Sequence, residues 1–200
     1  AFIHGISNLL TTAIYNPNLT ITLSKNVCFI DGQTKIEVKF DSLKYGQDKN
    51  LVFEVDTASA TSQSRDYLND FAHISFSFNG KVIETKENPQ PTRDYYLMNK
   101  YRQEAVNVIN NCIQSKLYND NSSKDILTQF ISNIEKEKAN PYVLDIIYDF
   151  NGQIKEALNM TTKGQREDWF SRWGIHYLRS LQGAYRHELC NNFKDKGISH

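Results

Sequence analysis

Two spacings of apolar residues divide this chain. From Leu19 onward apolar and polar positions alternate: Leu19, Ile21 and Leu23 are interleaved with Thr20, Thr22 and Ser24. Ile36, Val38 and Phe40 alternate with Lys35, Glu37 and Lys39, and Leu51, Phe53 and Val55 form a third set. Successive side chains of a strand point to opposite faces, so these runs predict half-buried strands with the apolar face inward. The run from Ile74 to Ile83 has Asn79-Gly80 between two alternating segments. Both residues tolerate the positive φ that a two-residue type I′ turn demands, so a hairpin is predicted. Several short strands separated by turns predict a small antiparallel, sandwich-like β unit over 16–90. The polar stretch from Thr57 to Asp70 reads as a loop.

Beyond Asn88-Pro89-Gln90-Pro91 the spacing becomes helical. Two prolines in three residues end strand and helix alike. Leu97, Met98, Tyr101, Ala105, Val108, Ile109 and Cys112 mark a long helix, which Asn119 to Ser123 interrupts. Ser122 with Asp125 resembles a capping box at the start of a second helix, carried by Leu127, Phe130, Ile131 and Ile134. Asn140-Pro141 is an N-cap followed by proline at the first helical position. Leu144, Ile147, Tyr148, Ile154 and Leu158 continue that third helix, and a fourth runs from about Gln165 to about Leu189. Helices joined by short turns predict an antiparallel bundle of about four over 91–200. At the other end, Ile3, Ile6, Leu9, Leu10 and Ala13 predict a short helix from Phe2 to Ile14, stopped by Asn16-Pro17. The fold class is α+β.

The fourth helix has two faces. Phe170, Trp173, Tyr177, Leu181 and Ala184 share one side; Arg172, His176, Arg179 and Arg186 share the other. The plain reading is a core face and a solvated face. The sharper reading is a basic stripe for an acidic protein partner, with those four residues as candidate partner-binding side chains. From Lys163 to His200 there are seven Lys/Arg against four Asp/Glu, a surplus of three. Trp169 and Trp173, one turn apart, read as core anchors rather than as a ligand platform.

Composition narrows the function. The 200 residues carry 23 basic and 23 acidic side chains, so nothing in the overall charge draws the chain to nucleic acid or anionic lipid. The expected partner is a protein, with no membrane and no nucleic acid. Only three cysteines occur, Cys28, Cys112 and Cys190, which argues against a disulfide framework and for a reducing, cytoplasmic setting. No run approaches the roughly 20 apolar residues of a membrane helix. The first residues lack the basic start and apolar middle of a signal peptide, and they lack Met, so the chain is expected to be cut from something longer. Glycine-rich phosphate loops and His-Glu-x-x-His are absent. His187 and Cys190 are only two ligands where zinc needs four. Cys112 lies on an apolar helical stripe and Cys28 on a strand, settings in which thiols are inert. Neither catalytic, nor cofactor-binding, nor metal-binding residues are expected.

Trp173-Gly174-Ile175-His176-Tyr177-Leu178-Arg179-Ser180 and Cys190-Asn191-Asn192-Phe193-Lys194-Asp195-Lys196-Gly197 resemble the helical (Vwaint-type) module that follows the von Willebrand A domain in intracellular A-domain proteins. Those proteins often also carry a Hedgehog/intein-type domain, and a related arrangement occurs in RING-type ubiquitin ligases. Leu43-Lys44-Tyr45-Gly46-Gln47 is similar to a short stretch of the β unit that precedes the module, and Phe2 to Thr12 is similar to the last helix of the A domain. One departure is Lys196, where proline is expected. The resemblance implies that residues 1–15 end an upstream A domain and that 16–90 and 91–200 pack against it. It implies a non-catalytic structural and protein-interaction module. The divalent cation of an A domain is held by an Asp-x-Ser-x-Ser loop, which this chain lacks, so no cofactor is expected in this chain and the cation would belong to the upstream domain. The rival expectation is a piece of a ubiquitin-pathway ligase or a cysteine hydrolase.

Overall fold

The alternating runs fold as antiparallel strands. The computed structural model describes residues 12–23, 27–56, 72–84, 92–120, 122–160, 169–189 and 191. The chain divides into two units, one of Ala1–Asp48 with Phe53–Gln90, the other of Lys49–Val52 with Pro91–His200.

The first unit contains β1 (Thr12–Tyr15), β2 (Asn18–Leu23), β3 (Cys28–Phe29), β4 (Lys35–Lys39), β5 (Ser42–Lys44), β6 (Val55–Asp56), β7 (Ala72–Phe78) and β8 (Lys81–Glu84). A four-stranded sheet has the order β4-β2-β7-β8, and β1-β5 and β3-β6 form separate antiparallel pairs. In the central strand Ile21 stands opposite Ile36 on one side and Ile74 on the other. Such apolar cross-strand neighbours pin the register, because a one-residue slip would turn the apolar set outward. Ile21, Leu23, Val27 and Phe29 form the buried centre, with Phe53 packed edge-on to Phe29 at 5.8 Å between ring centroids. The predicted hairpin is present: Asn79 and Gly80 take φ of +48° and +72°, and Phe78 pairs with Lys81.

Two expectations are corrected here. The helix read up to Ile14 does not include Thr12–Tyr15, which is a strand paired with Ser42–Lys44; residues 1–11 lie outside the described residues. Ala13 and Ile14 fit either period, and the partner strand decides between them. Leu51, Phe53 and Val55 do not form one strand, since only Val55–Asp56 enters a ladder and residues 49–52 belong to the other unit. The loop read at 57–70 and the boundary at Asn88–Pro91 lie outside the described residues.

The second unit contains α1 (Arg93–Leu117), α2 (Ser123–Ile134), α3 (Pro141–Asn151), α4 (Gln153–Ala157) and α5 (Ile175–His187), the last preceded by a π-helical turn over Phe170–Gly174. Thr92 caps α1 by accepting from the Tyr95 amide. Asn140 caps α3 by accepting from the Tyr142 amide, with Pro141 at the first position as predicted. The capping box at Ser122 is not formed. Ser122 adopts helical dihedrals, and the Ser123 amide donates instead to Ser115 Oγ at 2.9 Å. The third predicted helix is two, α3 and α4, separated by Gly152. Ile109, Leu127, Ile134, Phe150, Ile154, Leu158 and Leu178 are wholly buried together. No helix among the described residues is long and apolar enough to cross a membrane.

Candidate functional site

Helix α5 and the turn before it carry the residues that the sequence singled out. Trp173, Tyr177 and Leu181 are buried, and Phe170 and Ala184 are half-buried, so the apolar face is the core face. Trp169 stacks on Trp173 at 5.3 Å and Trp173 on Tyr177 at 4.9 Å with rings 9° from parallel. Stacked rings contribute about 0.5–1.5 kcal/mol per pair beyond their burial. The two tryptophans therefore act as packing groups.

Gly174 explains its own place in the Trp-Gly pair. A Cβ on this residue would lie 1.9 Å from the Ala157 carbonyl oxygen at the end of α4. Only a residue without a side chain lets the two backbones come this close. Trp173 and Gly174, within the π turn, are both buried.

Polar groups tie α5 inward as well. Gln182 Nε2 donates to the Val106 carbonyl at 3.0 Å, and Tyr185 Oη donates to Asp149 Oδ2 at 2.6 Å. Burial raises the Asp149 carboxyl above the usual range, the Tyr185 hydrogen bond opposes that rise, and neighbouring Asp145 adds to it. Burial and the charge of Asp149 push the Tyr185 hydroxyl upward. Ser180 Oγ donates to Asn191 Oδ1 at 2.9 Å, which links the two motif segments quoted above.

Arg172, His176, Arg179 and Arg186 are all exposed. Among the described residues His176, Arg179 and Arg186 form no hydrogen bond or ion pair within the fold. Arg186 also stands in the last turn of α5, where a positive charge suits the helix dipole. Within Trp173–Ser180, six side-chain positions are buried or half-buried and only His176 and Arg179 face solvent.

Cys28 and Cys112 are placed as expected. Cys112 is fully buried, its thiol donates to the Ser123 carbonyl, and burial pushes it up to about 12. A nucleophilic thiol needs the opposite shift. Cys28 lies in β3, and Cys190 lies outside the described residues. No three His, Cys, Asp or Glu side chains among the described residues gather to hold a metal ion. A cleft of about 530 Å³ is lined by Lys116, Asp120, Lys124 and Asn159 among others, and its mixed charges select neither anion nor cation.

One constellation was not foreseen. Tyr95, Arg102 and Gln103 of α1, with Glu188 just after α5, hold the extended residues Asn50–Val52 by side-chain hydrogen bonds. No local sequence signal marks it, because α1, Glu188 and Asn50–Val52 lie far apart in the chain.

Residues 140–200 match the Vwaint family, described as VWA / Hh protein intein-like. The match takes in α3, α4, the π turn and α5, and so covers the segment that holds the Trp173–Ser180 motif. Residues 1–139 lie outside the match. Neither a curated protein nor a solved structure matches the chain.

The motif Leu43–Gln47 has a structural explanation. The Gln47 amide donates to the Lys44 carbonyl at 3.2 Å, and the Lys44 amide donates to Gln47 Oε1 at 3.1 Å, closing a turn around Tyr45 and Gly46.

Proposed function

We propose that the chain is a non-catalytic, cytoplasmic structural and protein-interaction module that accompanies a von Willebrand A-type domain and presents Arg172, His176, Arg179 and Arg186 to an acidic surface of a protein partner. One observation carries this reading. In the segment that matches the Vwaint family, the side chains of α5 divide into those that build the core and a basic set that faces solvent. A helix needs charged residues on its outer face for solubility, but it needs no particular sign there. The Asp-x-Ser-x-Ser donors of an A-domain cation site are missing from this sequence.

The test is capture of an A-type domain from the same organism by the immobilised full chain, beside the variant Arg172→Glu/Arg179→Glu/Arg186→Glu. The reading predicts capture by the natural chain and loss of capture by the variant, with an unchanged melting temperature. Equal capture by both would remove the basic face from the account. The rival reading as a cysteine hydrolase gains nothing from Cys112, whose thiol is buried and protonated at neutral pH.

A further inference from the structure

Residues Lys49–Val52 belong to the helical unit although the chain on either side of them belongs to the β unit. Among the described residues Asn50-Leu51-Val52 forms no ladder with any strand. Its polar groups are instead met by side chains. The Asn50 amide donates to Glu188 Oε1 at 2.8 Å, and Asn50 Nδ2 donates to Glu188 Oε2 at 2.7 Å. Tyr95 Oη donates to Asn50 Oδ1 at 2.9 Å, and Arg102 Nη2 donates to the Asn50 carbonyl. Both main-chain groups and both side-chain polar atoms of Asn50 are thus engaged. Two residues on, the Val52 amide donates to Gln103 Oε1, and Gln103 Nε2 donates to the Val52 carbonyl at 2.9 Å. Contacts at alternate residues are how an extended peptide is read at a sheet edge. Here the primary amide of a glutamine on α1 takes the place of the neighbouring strand.

The readers are themselves held. Arg102 Nε donates to Asn99 Oδ1 at 3.3 Å, its Nη1 donates to the Tyr185 carbonyl at 2.7 Å, and its Nη2 lies 3.3 Å from Glu188 Oε1. Its side chain and that of Glu188 are only 11% and 14% exposed. Glu188 sits at φ +55° just past α5, a conformation normally left to glycine or asparagine at a helix end. Strained backbone persists where the surroundings over-determine it, and here the carboxylate it positions reads two donors of one residue.

We propose that Tyr95, Arg102, Gln103 and Glu188 form a peptide-recognition site for an extended Asn-x-Val segment, filled in cis by residues 50–52 and able to take the same segment in trans. The site discriminates by chemistry. Aspartate in place of the asparagine would set one carboxylate against another, and proline two residues on would remove the donor that Gln103 accepts.

The experiment empties the site in the full chain with Asn50→Ala/Val52→Pro. Fluorescence polarisation then follows a labelled hexapeptide with the sequence of residues 48–53. The expected result is saturable binding to this variant, and binding about tenfold or more weaker for the natural chain, whose site is filled, and for the peptide carrying Asn50→Asp. No binding to a variant that keeps the helical circular dichroism of the natural chain would overturn the proposal, as would equal binding of the two peptides. Should the variant lose its helical signal, amide hydrogen exchange on the natural chain and on Gln103→Leu decides. Slow exchange at Val52 that Gln103→Leu abolishes supports the site, and fast exchange at Val52 in the natural chain rules it out.

Discussion

The helical unit and the β unit bury their apolar residues to different depths. In the helical unit Ile109, Leu127, Phe150, Ile154 and Leu178 are wholly out of solvent; in the β unit Pro17 is too, but the strand cluster of Ile21, Leu23, Val27 and Phe29 keeps 4–8% of its surface. A helix in a bundle presents its stripe to several neighbours at once, whereas a short strand is covered on one face. The helical unit is therefore held by packing. The β unit leans on register and on its turns.

That contrast is sharpest at Gly174. Gly174→Ala places a methyl group 1.9 Å from the Ala157 carbonyl oxygen, and no rotamer change relieves a backbone overlap. It should cost more than about 4 kcal/mol and erase much of the helical signal in chemical denaturation. Next comes a pair of truncations. Phe150→Ala should cost about 4 kcal/mol and Ile21→Ala about 2 kcal/mol, so urea titration should move the midpoint further for the helical-unit change. Equal shifts would break the comparison. Gly80→Val, at φ +72°, should cost about 1–2 kcal/mol through hairpin strain alone and should show as weakened amide protection in β7 and β8.

The smallest effect is a matter of pH. Because burial raises the Asp149 carboxyl, the folded state holds that proton at pH values where the unfolded chain has released it. Its contribution is present below the ordinary aspartate value and is lost as pH rises through the raised folded value. Asp149→Asn keeps an acceptor for Tyr185 and removes that loss. The variant should match or slightly exceed the natural chain in melting temperature at pH 7, and the two should converge at pH 3.

How much of this was legible depended on whether the signal was local. The strands around Ile21, Ile36 and Ile74 and the Asn79-Gly80 hairpin follow from residues within a few positions of one another. So do Asn140-Pro141 and the two faces of α5, including the exposure of Arg172, His176, Arg179 and Arg186. The strand at Thr12–Tyr15 was not legible, because its identity is set by pairing with Ser42–Lys44. Leu51 to Val55 showed the right alternation for a strand, yet the hydrogen bonds of Val52 go to a glutamine on α1. The capping box failed because Ser122 itself takes helical dihedrals and its hydroxyl donates to the Asp120 carboxylate.

The central claim is that α5 and the turn before it have an inner face that builds the fold and an exposed basic face that meets a partner. The most direct measurement is thermal unfolding, followed by circular dichroism, of Arg172→Glu/Arg179→Glu/Arg186→Glu together with its capture of an A-type domain. The account predicts a melting temperature within about 2 °C of the natural chain, as surface substitutions usually allow, and lost capture. A variant that unfolds early while still capturing the domain would contradict it.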